Sequence, residues 1–424
     1  MIAAHYEIDI LPEYVEPEVL LMQLAGSLTT TIFLGGNGDH VVLGLAGTEV
    51  SYEEVASQTL QPTSVPEDVN AGFFSGIGYM GLLSYDHFDS NATAPCFPCR
   101  VFDVTESMVW NRNTRQMARH RSRRRSGQPW TIKGTHDLTP TEMGTHDAIW
   151  GTHDVTLSYG HLVSEAIRDI RDGRYYQINL LKYFAAPEAD FLGLAARISR
   201  WGGSMSSAWR IRGLEVVSLS PERFVRISPS RHGLSIETRP IKGTIKRGHT
   251  SESDTANADS LMTSPKERAE LAMIIDLMRN DLNRVCESGS VQVVSSGHIE
   301  SLPYAHHRVG VVRGKLGPQS FGELVNKLLP GGSITGAPKL AAMQAIRSYE
   351  GRNRGYFMGA AFFWDPTSGY LDSSLLIRTA YRERCNNESW EPFSFAAGSG
   401  IVLDSDPAAE ECEVMLKAQC MTST

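Results

Sequence analysis

Cysteine is scarce. Six cysteines in 424 residues cannot frame a disulfide scaffold. Cys96 and Cys99 form a single CxxC, at most half a zinc site, and no second pair answers it, so both read as ordinary thiols. An excess of positive charge is also missing. The 40 Lys and Arg against 48 Asp and Glu leave a net charge of −8, which argues against nucleic acid or an anionic membrane as the main partner. No stretch approaches the ~18 apolar residues of a membrane span. The opening MIAAHYEIDILPEY carries acidic residues where a secretory signal needs an apolar run. These absences lead us to expect a soluble, cytoplasmic protein. What is present is ordinary for a globular chain: 41% apolar and 21% charged residues.

The chain divides by texture. Residues 1–110 alternate short apolar runs with turns, and TTTIFLGG, HVVLGLAG and FSGIGYMGLLSY predict strands. Residues 111–155 hold a basic run, RQMARHRSRRR, and three copies of GTHD at Gly134–Asp137, Gly144–Asp147 and Gly151–Asp154. Recurrent His and Asp could suggest a metal site. Duplicated turn chemistry in a linker or surface hairpin is the favoured reading. The basic run reads as a solvated strand or loop, with a nucleic-acid arm as the lesser alternative. From 156 to 424, helical and strand patterns do not alternate one for one. That predicts an α+β fold, with large, mainly antiparallel sheets and helices on their outer faces. The strands of 1–110 are expected to join the sheets of 156–424, with 111–155 as an insert.

Several stretches place chemically useful residues together. In SPKERAELAMIIDLMRNDLNRVC, Ser264 reads as an N-cap, Pro265 as the first helical residue and Glu267 as the closer of a capping box. Leu271, Ile274, Ile275, Met278, Leu282 and Val285 form its apolar stripe, and Glu270 falls on it. A carboxylate there needs an ion pair or a metal. In DSDPAAEECEVMLKAQC, Asp406 reads as the N-cap and Glu413 aligns with Ala409, Leu416 and Cys420 on an inward face, one turn after Glu410. Should the two helices meet, their glutamates would suit Mg²⁺, which favours a few carboxylates with water and an anionic ligand. PGGSITGAPK, with Ser333 and Lys339, is a glycine loop running into a helix whose start can hold an anion. AAGSGIV places Gly398 and Gly400 around Ser399, where a ligand can approach bare backbone. Arg378, among apolar neighbours, calls for a carboxylate. His306 and His307 are candidates for polar contact or proton transfer. In ETRPIKGTIKRG, Lys242 follows a restricting Pro240. It is either another surface charge or a lysine held for chemistry.

Taken together, YYQINL, SLSPERF, ETRPIKGT, KERAELAMIIDLMRNDLNRVC, GGSITGAPK, SSLLIRTAY and AAGSGIVLDSDPAAE resemble, in order, the motifs of chorismate-utilising enzymes. The resemblance is dense over 156–418 and loose over 1–110. It implies a large α/β sandwich with two sheets inside and helices outside. It also implies chorismate as substrate and Mg²⁺ held by Glu270 and Glu413, with Glu267 and Glu410 beside them. Arg378 matches the residue that grips a substrate carboxylate, and the Gly398–Gly400 backbone, with Ser399, matches the loop at the other. His307 matches the active-site histidine. Thr244, Ser333 and Lys339 fall in motifs that line the substrate. Gln177 stands where isochorismate and salicylate synthases carry a water-activating lysine, which points to amination rather than hydroxylation. The Pro-Ile-Lys-Gly-Thr reading at 240–244 resembles the aminodeoxychorismate branch. There, Lys242 would be a nucleophile at C2 of chorismate and Glu222 the acid/base for the departing C4 hydroxyl. Anthranilate synthases typically carry Ala at that position, so C2 amination with loss of pyruvate is the alternative. A non-catalytic chorismate binder is another. Ammonia would come from a separate glutamine amidotransferase subunit.

Overall fold

The computed structural model describes residues 6–11, 15–17, 20–21, 31–34, 40–61, 78–89, 98–111, 114–122, 151–152, 158–203, 205–302, 305–385 and 389–422. Its helices are α1 (Tyr52–Ala56), α2 (Tyr159–Arg171), α3 (Phe191–Trp201), α4 (Ser251–Thr263), α5 (Pro265–Asn283), α6 (Phe321–Leu328), α7 (Lys339–Glu350) and α8 (Pro407–Thr422).

Antiparallel pairing links the strands into two sheets that fork at one long strand, Arg100–Asn111. The first sheet runs Tyr6–Ile10, Gln116–Ser122, Arg100–Asn111, His40–Val50, Thr31–Leu34, Ser207–Ile211, Leu214–Ser218, Thr379–Cys385, Phe393–Ile401 and Gln177–Ala186. The second leaves the same strand through Gly78–Leu83 and continues with Ala360–Asp365, Tyr370–Leu375, Arg223–Ser230, Gly233–Thr238 and Ala305–Lys315. Ala305–Lys315 also pairs with Ile241–Lys246 and with Gln292–Ser301. The fork is possible because the strand is long. Its Val101–Val104 portion faces Gly78–Leu83, while Glu106–Asn111 faces Gln116–Ser122 on the same side.

Side chains alternate between the faces of a strand, and the core follows that rule. Leu181, Tyr183, Trp209 and Val216 of the first sheet share one apolar cluster with Met80, Ile227, Phe362 and Trp364 of the second. Leu271, Ile274 and Met278 of α5 and Phe321 of α6 join that cluster. On the other face of the first sheet, Ile178, Leu180, Phe184 and Phe395 pack against Leu162 of α2, Phe191 of α3, Ile346 of α7 and Val414 of α8. The result is the expected α+β sandwich, with antiparallel sheets inside and helices outside.

The N-terminal strands are woven into both sheets. Within the basic run, Gln116–Ser122 form a strand, whose Arg119 and Arg121 pair with Glu106. The GTHD copies at 134–137 and 144–147 and Cys96 lie outside the described residues. Of the third copy, Gly151–Thr152 pairs with Phe184 and Ala185. Cys99 is a free thiol that burial pushes up to about 12, so it stays protonated and unreactive. Among the described residues, no helix is long and apolar enough to cross a membrane.

Candidate active site

The site lies where the two sheets face each other at the ends of Gln177–Ala186 and Phe393–Ile401 on one side and Ile241–Lys246 and Ala305–Lys315 on the other. Register sets Thr244 opposite His307, and Thr244 Oγ1 and His307 Nδ1 are 2.9 Å apart. Gly243 has φ +85°, a conformation glycine tolerates, and a Cβ there would lie 2.8 Å from Glu267 Oε2. The bare backbone thus admits the Glu267 carboxylate beside Lys242. From this strand Lys242 reaches across to the other sheet. Its Nζ lies 3.2 Å from where a Cβ on Gly400 would stand, and Gln177 Nε2 lies 3.0 Å from the same point.

Glu222, just before Arg223–Ser230, is buried and accepts a 3.2 Å hydrogen bond from Ser333 Oγ of the glycine loop. Burial raises its carboxyl to about 7, although Lys242, the Ser333 hydroxyl, Lys417 and Arg378 all pull it down. The carboxyl therefore titrates in the neutral range, as an acid/base group requires. Burial, with the charges of Arg378 and His306, lowers His307 to about 3, so its imidazole is neutral. Arg378 holds φ +49°, an uncommon conformation for a residue with a side chain. Its carbonyl is pinned by Leu219 N–H at 2.9 Å.

Carboxylates gather at the mouth. Burial raises Glu270, Lys242 and Lys266 oppose that rise, and the negative charges of Glu267 and Glu413 add to it. Helices α5 and α8 thus bring acidic groups within range of each other. Burial also pushes Glu413 up, but Lys417 at 2.6 Å outweighs it and holds the carboxyl below its usual range. Among the described residues, no group of three or more His, Cys, Asp or Glu side chains is placed to hold a metal ion.

The structure revises several expectations. Ser264 does cap α5 by accepting from Glu267 N–H. The capping box does not close, because Ser264 N–H donates to Ser260 O and the Glu267 carboxylate lies against Gly243. The buried residues of α8 are Glu410, Val414, Ala418, Cys420 and Met421, so Cys420 faces inward as expected, while Leu416 is 49% exposed. Glu413 therefore borders the cleft without facing the core. Glu410 accepts from Ser405 Oγ at 2.7 Å, just ahead of the helix. Ser399 points away from the cleft by strand alternation, and its hydroxyl sits 2.8 Å from Tyr159 OH. Lys339 is held by Asp281 at 2.7 Å, which also accepts from Gly332 N–H. That carboxylate thus ties the glycine loop and the Lys339 amine to α5. His306 bridges Asp254 and Ser301 and pins α4 to the sheet.

The match to the family of chorismate binding enzymes extends over residues 42–423. The chain belongs to that family. Aminodeoxychorismate synthase component 1 of Klebsiella aerogenes is 37% identical over 277 residues, which is 64% of this chain and 59% of that protein's length. The Escherichia coli K12 protein of the same name is 32% identical over 353 residues, 80% of this chain and 75% of its own. In fold, this chorismate binding enzyme superposes on anthranilate synthase component I from Streptococcus pneumoniae TIGR4. The TM-score is 0.69 at 22% identity, covering 100% of this chain and 93% of the other.

Two supporting residues of this chorismate binding enzyme were not singled out in the sequence. Lys417 donates to Gly398 O at 3.0 Å as well as to Glu413. Its spacing of four from Glu413 on one helix was the available signal. Tyr159 fixes Ser399 through its hydroxyl and Ser399 N–H, a contact spanning the chain that no local pattern announces.

Proposed function

We propose that the chain aminates chorismate at C4 to give 4-amino-4-deoxychorismate, as component I of an aminodeoxychorismate synthase. The observation that carries this reading is Lys242 beside Glu222. A lysine reaches into a cleft next to a buried carboxyl raised to about 7 whose strongest opposing charge is that lysine.

The chemistry balances with these two groups. The neutral amine of Lys242 bonds to C2 of chorismate, the two conjugated ring double bonds shift, and the C4–O bond breaks. Glu222 gives its proton to the departing hydroxyl, which leaves as water, and then takes the extra proton from the new secondary ammonium. Ammonia bonds to C4, the double bonds shift back, and the C2–Nζ bond breaks. Glu222 gives the proton it took up to the departing Nζ, so Lys242 leaves as a neutral amine, and then accepts the proton shed by the new C4 ammonium, which restores the starting state. Arg378 is suited to one substrate carboxylate, and the bare backbone at Gly398 and Gly400 to the approach of the other side of the substrate. Thr244 and His307 line the cleft, with His307 serving as a neutral hydrogen-bonding group.

The acidic mouth fits Mg²⁺. Glu270 and Glu413 would hold it, with Glu267 adjacent, because the charges of Glu267 and Glu413 both bear on Glu270 and an open, water-completed set is what that ion prefers. Once bound, Mg²⁺ would neutralise a carboxylate of the substrate. Glu410, tied to Ser405, would support from behind. A glutamine amidotransferase subunit would supply ammonia, in keeping with the "component 1" naming of the relatives. The product would pass to a separate lyase that forms 4-aminobenzoate for folate. We take the compartment to be the cytoplasm, on cysteine usage.

The deciding assay is purified protein with chorismate, Mg²⁺ and ammonium, read by mass spectrometry for 4-amino-4-deoxychorismate. Anthranilate with pyruvate would assign the C2 branch, and ligand binding without turnover would mark a non-catalytic relative. Lys242→Ala should abolish C4 amination and leave at most a trace of C2-aminated product. Wild-type protein quenched with chorismate and no ammonia should carry an adduct on Lys242 in peptide maps.

A further inference from the structure

The glycine loop is held on both sides of Ser333 by buried charged groups. Gly332 N–H donates to Asp281 Oδ2 at 3.3 Å, and Ile334 O accepts from Arg354 Nη1 at 3.0 Å. Asp281 belongs to α5 and is 6% exposed. Lys339 Nζ grips both of its oxygens, at 2.7 and 2.9 Å, which offsets the cost of burying the carboxylate. Gly332 approaches α5 closely because it lacks a side chain. A Cβ there would stand 2.6 Å from Leu277 Cγ and 2.8 Å from Met278 Cε. Between these two holds, Ser333 Oγ donates to Glu222 Oε1 at 3.2 Å.

We propose that Asp281, gripped by Lys339, is a positioning residue that clamps the glycine loop so that the Ser333 hydroxyl meets Glu222. The catalytic use of Glu222 rests on the C4-amination reading above. Lys339 then works from behind the loop and is not a ligand for the substrate. The hydroxyl favours the ionised carboxyl. By taking Oε1, it also leaves Oε2 to carry the proton that the departing hydroxyl receives. Beside burial, the groups that bear on this carboxyl are Lys242, the Ser333 hydroxyl, Lys417 and Arg378. The Asp281–Lys339 pair, itself balanced in charge, is left to act through the loop.

The test reads the Glu222 carboxyl directly in the full chain. Infrared titration follows its protonated C=O band, assigned by its absence in Glu222→Gln. Ser333→Ala should move the midpoint up by about half a pH unit or more, because a donor to the ionised form is gone. Asp281→Leu should move it up equally. Loss of a negative charge acting through space would move it down, so the direction separates positioning from field. Asp281→Leu/Lys339→Met leaves the net charge unchanged and no buried amine unpaired, and it decides the outcome where the single variant does not fold. Its midpoint should also rise. Ser333→Ala/Asp281→Leu should shift no further than Ser333→Ala, and chorismate turnover in Asp281→Leu should fall to the Ser333→Ala level.

Midpoints that stay or fall in the Asp281 variants would overturn the clamp while leaving C4 amination standing. So would an unmoved midpoint in Ser333→Ala, or shifts that add in the double variant. Wild-type protein that makes no 4-amino-4-deoxychorismate would remove the parent reading, and the catalytic use of the clamp with it, whatever the midpoints.

Discussion

At the scale of single residues, Glu222 has a consequence for stability as well as for turnover. Its carboxyl is lifted from the ordinary 4.5 to about 7. The folded protein therefore keeps a proton that the unfolded chain gives up. The contribution to stability is whole below about 4.5 and is lost as pH rises through about 7, a swing of roughly 3 kcal/mol by linkage. Glu222→Gln cannot ionise. It should melt above wild type at pH 8, match it near pH 4, and be inactive at both. Coincident melting curves at pH 8 would show that the fold does not hold the carboxyl up. The identity of this residue was legible in SPERF, and that of Lys242 in PIKGT. Its environment was not. Burial of Glu222, and the Ser333 hydroxyl that meets it from 111 residues away in sequence, exist only once the glycine loop has folded against the second sheet.

At the scale of elements, the N-terminal boundaries of α5 and α8 were readable because Ser264 and Asp406 cap them as their sequences suggest. The inward face of α8 was misread. Ala409, Glu413, Leu416 and Cys420 suggested one stripe, and of these the structure buries Cys420 alone, together with Glu410, Val414, Ala418 and Met421. A helix that closes a polar cleft on one side and covers an apolar sheet on the other has no single hydrophobic face, so periodicity loses its contrast there. The glycine strand gives a sharper case. A Cβ on Gly398 would stand 2.3 Å from the Leu180 carbonyl oxygen, which is neighbouring backbone and cannot yield, whereas one on Gly400 meets only the ends of Gln177 and Lys242. Gly398→Ala should therefore lose about 1–3 kcal/mol of stability by overpacking. Gly400→Ala should fold normally but displace the lysine amine, so the Lys242 adduct falls. Thermal melts and adduct mass separate the two, and equal destabilisation of both variants would contradict this division.

At the scale of the whole molecule, the α+β class followed from strands and helices that refuse to alternate, but the fork at Arg100–Asn111 did not. Nor did the ion pair that holds the site's walls together. Arg354 and Glu350, 1% and 0% exposed, lie 2.6 Å apart. Arg354 donates to Ile334 O of the glycine loop at 3.0 Å and to Asn179 O at 2.7 Å. Glu350 accepts from Leu181 N–H at 3.0 Å and Tyr183 OH at 2.8 Å. Asp86 accepts from Arg354 N–H and Gly355 N–H, which brings in the N-terminal part of the chain. Removing one member of a buried pair costs about 3–5 kcal/mol, and replacing both with apolar residues is often nearly neutral. Here the second rule should fail. In Arg354→Met/Glu350→Leu the charges vanish together, yet Ile334 O, Asn179 O, Leu181 N–H and Tyr183 OH each lose a partner in the interior. The double variant should thus stay at least as unstable as Arg354→Met alone in urea unfolding. Its recovery to wild-type stability would reduce the pair to two charges that merely cancel. Continued instability would identify it as the junction through which the glycine loop, the Asn179 strand and the N-terminal segment are held in one register around Lys242.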